Sequence, residues 1–316
     1  MREIQYCLCL AEYYLTEASP PQPRLAIQCL TASLNCLDAS ASEKSFAHFR
    51  LALLYLKYTE NLNHVFTNLD KSIEFGHANI NAYNEQWKHA EANQTTKPKI
   101  HHPDSIVKFC PAELYAEAIH LYVGLSLPKN LLQSQAVHIE SVEKSKKLLQ
   151  TGLNDLATCV AWAGSKLGSW QVKLALQMAT TLFKESDYET AKEFINYGIE
   201  MAKSNALEYF WAMFSLAKAM ISVSQFNIQD IDADSFKKLI SEVETALSQP
   251  VGSVHDCVNM NLSNVPELPQ LNLKIYIAIL KSGLALRSGN YKDSKSCLRV
   301  LNELYKKYPP STGGIF

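Results

Sequence analysis

Residues 174–203, LALQMATTLFKESDYETAKEFINYGIEMAK, decide the fold, because they predict two helices joined by a short turn. Apolar residues recur every three or four positions on both sides of Ser186-Asp187. Asp is favoured just before a helix, since its carboxylate accepts a hydrogen bond from a free backbone N–H group. The first helix therefore ends near Lys184, and the second begins after Asp187.

Two further segments repeat this pattern. Residues 51–76 contain a helix that runs to about Tyr58, a break at residues 59–63 and a second helix. Residues 277–310 turn at Gly289-Asn290, and two prolines stop the second helix. In each segment, small or apolar residues twelve positions apart allow two antiparallel helices to approach closely: Leu53 with Val65, Ala179 with Ala191, and Ser282 with Ser294. The pattern is typical of the tetratricopeptide-type (TPR) helix pair, a repeat of about 34 residues.

An earlier corner lies in residues 19–32, SPPQPRLAIQCLTA. Proline lacks an N–H group and fixes φ near the helical value, so it suits the first turn of a helix. The residue before a proline is disfavoured in a helix. We therefore expect Pro20-Pro21 to end one helix and Pro23 to open the next. The apolar side of that next helix is predicted to contain Leu25, Ala26, Cys29, Leu30, Ala32, Cys36 and Leu37.

The whole chain is predicted to be all-α, a TPR-like helical-hairpin superhelix (an α-solenoid) in a single domain, residues 1–316. About six antiparallel helix pairs are expected, at residues 3–37, 43–76, 111–163, 170–203, 206–247 and 271–308. Two long polar connections, residues 77–110 and 250–269, are expected to be irregular insertions. Nowhere does the alternation that is typical of a strand persist.

The composition argues against several classes of protein. A net charge of −1 disfavours a protein that binds mainly nucleic-acid phosphates, because such proteins are usually strongly basic. The eight cysteines form no CxxC pair and no Cys/His cluster at zinc spacing, which predicts reduced thiols, no metal and no cofactor. Neither a phosphate-binding glycine loop nor a linked Cys–His pair is recognisable, so no enzymatic activity is predicted. No stretch approaches the length of a membrane span.

Stacked helix pairs expose a long concave groove, and such grooves usually bind extended peptides. Tyrosine and amide side chains suit this task, because they combine apolar area with hydrogen-bonding groups. Six residues are predicted to bind a partner in the groove, and each lies on the first of the two helices in its hairpin (a first helix, below). They are Tyr55, Tyr58, Gln177, Trp211, Lys218 and Tyr276. Ordinary packing between helices is the alternative interpretation for each aromatic residue.

Four segments, in the same order, resemble the MAU-type small subunit of the cohesin-loading complex (kollerin), the partner of Nipped-B/adherin proteins. They are residues 19–32, 51–74, 169–221 and 273–306. The positions that carry the resemblance include Tyr55, Thr59, Asn61, Leu69, Tyr276, Gly289 and Tyr291. Residues 77–133 have no clear counterpart. Because the family's chains are usually longer, the resemblance implies an N-terminal part of such a protein.

The resemblance implies a nuclear, chromatin-associated scaffold without catalytic activity or cofactor. In this family the groove encloses an extended N-terminal segment of the large HEAT-repeat loader subunit, and the pair loads cohesin onto chromatin for sister chromatid cohesion. The alternative is a TPR-like scaffold of another assembly, such as a ubiquitin-ligase or chaperone adaptor. A chaperone adaptor would need a basic clamp at equivalent positions of two neighbouring hairpins, and no such set is recognisable. A helical RNA binder is disfavoured by the charge, and an enzyme would require a cysteine with a strongly lowered thiol pKa.

Overall fold

The computed structural model describes residues 2–59, 61–93, 110–126, 135–163, 167–224, 233–248, 270–287 and 289–307. This part of the chain contains twelve α-helices and no strand, which confirms the predicted all-α class. The helices are α1 (Glu3–Thr16), α2 (Pro23–Leu34), α3 (Ala41–Tyr58), α4 (Leu62–Ala92), α5 (Pro111–Ser126), α6 (Gln135–Ala163), α7 (Leu167–Lys184), α8 (Tyr188–Ser204), α9 (Glu208–Ser224), α10 (Ala233–Ser248), α11 (Gln270–Arg287) and α12 (Tyr291–Lys307).

Consecutive helices pair as hairpins. Contacts join α1 to α2, α3 to α4, α5 to α6, α9 to α10 and α11 to α12. A tight turn joins α7 to α8, where the Phe183 ring meets the Tyr188 ring edge-on at 5.4 Å. Neighbouring hairpins also contact each other, as in α2 with α3, α4 with α5 and α8 with α9. The arrangement is that of helical-hairpin repeats.

The contacts divide the chain into two compact units. The first contains α1 to α6 and α7 as far as Leu174, and the second contains the rest of α7 and α8 to α12. In each unit the core consists of the apolar sides of paired helices, with fully buried residues such as Phe49 in the first and Phe214 in the second. The prediction of one continuous superhelical domain stays a prediction.

The corners of two hairpins follow the predicted chemistry. Ser186 adopts a positive φ of 65°, and the Asp187 carboxylate then accepts a hydrogen bond from the Thr190 N–H group at 3.3 Å. Gly289 has a φ of 74°, a conformation that glycine adopts without strain, and Asn290 accepts from the Asp293 N–H group at 3.2 Å. Both corners therefore end one helix and start the next within a few residues.

The first corner differs in part from the prediction. Pro23 opens α2 as expected, but α1 already ends at Thr16, four residues before the first proline. α2 buries Ala26, Leu30 and Ser33. Leu25 is 36% exposed, and Leu37 is fully exposed because it lies beyond the end of the helix. The predicted apolar side was therefore too broad.

Small residues bring paired helices close together, as the spacing of twelve predicted. The Ser282 and Ser294 hydroxyls lie 3.1 Å apart in the buried contact between α11 and α12. Ala179 and Ala191 are also buried. A further serine pair joins α3 to α4: the Ser45 and Ser72 hydroxyls each donate to the other residue's carbonyl oxygen, at 2.8 and 2.9 Å.

The predicted irregular insertion at residues 77–110 was wrong in its first half, because α4 continues to Ala92. Ile80 and Ala90 are buried on the continued helix, and the Tyr83 ring stacks on Trp162 of α6 at 5.4 Å. This packing gives the polar stretch a partner within the fold. Residues 94–109 and 249–269, which include the second predicted insertion, lie outside the described residues.

Candidate partner-binding surface

First helices lie side by side within each unit. In the first unit α1 contacts α3 through Glu12 on α1, which forms a two-pronged ion pair with Arg50 on α3; the Arg50 Nε atom donates at 2.6 Å. α3 in turn contacts α5, and in the second unit α9 contacts α11. A side-by-side row of first helices is the arrangement from which the predicted groove would be built.

A buried carboxylate fixes the first two hairpins against each other. Glu43, at the start of α3, accepts hydrogen bonds from Arg2 and Gln5 at the start of the chain. It also accepts from the Ser40 N–H group at 3.0 Å, while the Ser40 hydroxyl caps the Glu43 N–H group. This is a capping box, in which two otherwise free backbone donors are satisfied reciprocally.

The two predicted site residues on α3 have different surroundings. The Tyr55 ring is half-buried and stacks on His64 of α4, with ring centroids 5.1 Å apart and planes 24° apart. Tyr58, the last residue of α3, is 44% exposed, and the Lys57 Nζ atom lies 5.2 Å from its ring centroid. Tyr58 is thus accessible to a partner, whereas Tyr55 already packs within its own hairpin.

The other four predicted residues lie on helices of the second unit. Gln177 on α7 and Trp211 on α9 are half-buried. Lys218 is exposed, and its Nζ atom donates to the Asn196 side chain of α8 at 2.9 Å. Trp211 and Lys218 are seven residues apart, so they share one face of α9. Tyr276 lies in α11, and its side chain is outside the described residues. The role of all six residues in binding stays a prediction.

A polar cluster that was not predicted joins α4, α5 and α6. The Asp155 carboxylate lies 2.7 Å from the His77 Nδ1 atom and accepts a hydrogen bond from the Tyr115 hydroxyl at 2.6 Å. Burial, together with the hydrogen bond to Asp155, raises the pKa of the Tyr115 hydroxyl. Gly76 allows this approach, since a Cβ atom there would lie 2.9 Å from the Tyr115 ring.

A second set of contacts ties the continued part of α4 to α6. The Trp162 indole N–H donates to the Asn84 side-chain oxygen at 2.7 Å, and the Asn84 amide donates to the Thr158 hydroxyl at 2.8 Å. Amide and aromatic residues at helical spacing in residues 77–92 are the sequence signal that could have revealed this helix. The amide groups are used inside the fold here, rather than for a partner.

Four of the described cysteines do not have the properties of nucleophiles. Burial raises the pKa of the Cys9, Cys29 and Cys36 thiols, and it raises that of Cys159 to about 12. A reactive cysteine needs the opposite shift, because the thiolate is the attacking species. Within the described ranges no group of three His, Cys, Asp or Glu residues could hold a metal ion. Nor do they contain a helix that is long and apolar enough to cross a membrane.

These features define a class: a protein built of TPR-like helical hairpins, with contacts between first helices in each unit. Over 293 residues, 92% of its length, the chain is 25% identical to the protein named MAU2 chromatid cohesion factor homolog of Drosophila yakuba, and equally to that of Drosophila melanogaster. The protein of that name from Aedes aegypti is 23% identical over 294 residues.

The similarity extends over almost the whole chain. It therefore includes at least part of residues 77–133, for which no clear counterpart was recognisable from the sequence. It confirms the resemblance that was found in the sequence. The chain spans only about a third of the length of these relatives, 36% in both Drosophila proteins. No protein-family model matches the chain.

Proposed function

We propose that the chain is a non-catalytic scaffold of the cohesin-loading machinery, acting in chromatid cohesion in the nucleus. The observation that carries this proposal is the similarity to MAU2 chromatid cohesion factors over 92% of the chain. The helical-hairpin fold supports it, because this architecture binds other proteins along its helices. The raised thiol pKa values also favour a binding role over nucleophilic catalysis.

The proposed partner is the large HEAT-repeat loader subunit of the Nipped-B/adherin type, bound through its extended N-terminal segment. A disordered segment loses conformational entropy when it binds, so it needs a large contact area in return. First helices offer such area in each unit. Among the five predicted residues whose side chains are described, Tyr58 and Lys218 are exposed, and they provide an aromatic face and a cation.

A pull-down from nuclear extract tests this function. The chain is the bait, the washes are at high salt, and bound proteins are identified by mass spectrometry. Recovery of the large loader subunit, competed away by its own N-terminal fragment, supports the proposal. If the loader is absent while subunits of a ubiquitin ligase or a chaperone are recovered, the proposal is wrong and the chain is a TPR-like scaffold of another assembly.

Two variants locate the contact. Tyr58→Ala and Lys218→Ala are each expected to weaken binding of the N-terminal fragment by about tenfold, the effect of losing one central contact. Leu62→Ala is the matched control, because Leu62 is 50% exposed and lies just beyond Tyr58 on the second helix of the same hairpin. Equal loss in Tyr58→Ala and Leu62→Ala would show that first helices have no special role.

A further inference from the structure

The α11–α12 hairpin has an exposed apolar strip on one side. Ile279 and Leu286 on α11 are 48% and 49% exposed, and Tyr291 and Leu298 on α12 are 72% and 49% exposed. Large apolar side chains are usually exposed singly, whereas a contiguous group marks a contact surface. These four residues are called the apolar strip below.

The four residues lie on the same side because of their spacing around the serine contact. Ser282 of α11 meets Ser294 of α12 at 3.1 Å between the two antiparallel helices. Ile279 and Leu286 lie three residues before and four residues after Ser282. Tyr291 and Leu298 lie at the same two offsets from Ser294. Equal offsets in an antiparallel pair place side chains on one side of the hairpin, so the strip is continuous across both helices.

A row of cations borders the apolar strip along α12. Lys292, Lys295, Arg299 and Lys306 are all exposed, and at 100° per residue they lie within one narrow arc of the helix. The row extends about 21 Å, at 1.5 Å per residue. Of the two acidic residues in α12, Asp293 lies on another side and Glu303 only borders the row.

These four cations have no acidic partner in the described part of the chain. In contrast, Lys281 on α11 pairs with Glu244 of α10, and Lys192 on α8 pairs with Glu189. An unpaired row of one sign creates a positive potential that attracts an anionic partner. It would also repel a second copy of the same hairpin, which argues against self-association through this face.

We propose that the strip and the row together bind an acidic amphipathic helix of a partner protein. Apolar residues spaced by seven on two adjacent helices match the apolar stripe of a third helix laid between them. Acidic residues beside that stripe would meet the cations of α12. A nucleic acid would use the cations but leave the apolar strip uncovered, so the combination favours a peptide.

Binding to designed probes tests this proposal with the whole chain. The probe is a fluorescein-labelled helical peptide of about 18 residues, with leucines on one face and glutamates beside them. The same peptide with lysine in place of glutamate and a short duplex DNA are the comparators. Fluorescence anisotropy should show binding of the acidic peptide that weakens as salt is added. If the lysine peptide or the DNA binds as tightly, or if the acidic peptide does not bind, the proposal is wrong.

Variants test whether the apolar strip and the row of cations each contribute to binding of the acidic peptide. Lys295→Glu with Arg299→Glu, and separately Leu298→Ser, should each weaken acidic-peptide binding by about tenfold. Lys88→Glu with Lys147→Glu is the control for charge, since both lysines are exposed on helices of the first unit. Equal loss in this control would point to a general charge effect and overturn the proposal. The assay needs no loader subunit, so its result is independent of the pull-down.

Discussion

Among the glycines whose surroundings the structure describes, Gly198 is the one where an added methyl group would meet the closest atoms. It lies buried on α8 against Phe214 of α9, and a Cβ atom there would be 2.2, 2.3 and 2.6 Å from three atoms of the Phe214 ring. Phe214 has no exposed surface, so its ring has no open space to move into. Gly198→Ala therefore requires α8 and α9 to move apart.

Two opposing effects set the expected free-energy change. Overpacking a dense core costs about 1–3 kcal/mol, while replacing glycine by alanine inside a helix returns about 1 kcal/mol. Because three ring atoms are involved, we expect a net loss of about 1–2 kcal/mol of stability in the second unit. Gly152→Ala is the control: only one atom, the terminal methyl of Ile119, would lie closer than 3.0 Å to the added Cβ, at 2.7 Å, and it is the flexible end of that side chain. That substitution should change stability by less than about 1 kcal/mol.

Hydrogen exchange measured by mass spectrometry is the suitable assay, because it reports on α8 and α9 separately from the first unit. Gly198→Ala should lower the protection of both helices. Phe214→Leu replaces the ring by a smaller aliphatic side chain, so the alanine should cost less in that background, with a coupling of about 1 kcal/mol. Unchanged or increased protection in Gly198→Ala, or additive effects in the double variant, would refute the reasoning.

Three other perturbations test the contacts. Glu43→Ala removes the buried acceptor of the Gln5 amide and the partner of the partly exposed Arg2, and it should destabilise the first unit by about 1–3 kcal/mol in urea unfolding; no change would mean that the carboxylate is dispensable. Burial raises the pKa of the Cys159 thiol from 9.0 to about 12, so its contribution to stability is present below pH 9 and is lost as the pH rises towards 12. The free energy of unfolding should therefore fall less between pH 9 and pH 12 in Cys159→Ala than in the unsubstituted chain. Ser282→Ala alone leaves the Ser294 hydroxyl buried without its partner and should cost about 1–2 kcal/mol, while the double alanine variant should recover most of the loss in thermal unfolding.

The helical hairpins could be predicted from sequence because their signals are local. The carboxylate of Asp187 and the positive φ of Gly289 act within one turn of the residues they cap. The continuation of α4 could not be predicted in the same way. Its support comes from Trp162 and Asp155, which lie more than 70 residues away in sequence from their partners Asn84 and His77. A polar stretch whose partners are distant is easily mistaken for a loop.

The candidate site was predictable only as far as the helix that carries each residue. Tyr55 and Tyr58 both lie on α3, three residues apart, yet one ring stacks on His64 while the other is 44% exposed. The difference depends on where α4 begins, which in turn depends on the Asn61 cap and the close serine contact of that hairpin. Helix position therefore gives candidates, and packing decides which of them a partner can reach.

Net charge is a poor guide to what this chain attracts, because charge is unevenly distributed along it. The total of −1 disfavours a general polyanion-binding protein, and three of the described ion pairs join a lysine to an acid three residues away on the same helix. Among the described side chains of α12 no such pair occurs, although Asp293 and Glu303 are on the same helix. The four cations of α12 are well hydrated in the free chain. A partner that offers carboxylates to these cations and leucines to the apolar strip would bind more favourably than one that offers only one of the two. A net charge near zero is therefore compatible with a positive face on α12, and it is this face that determines which partner can bind there.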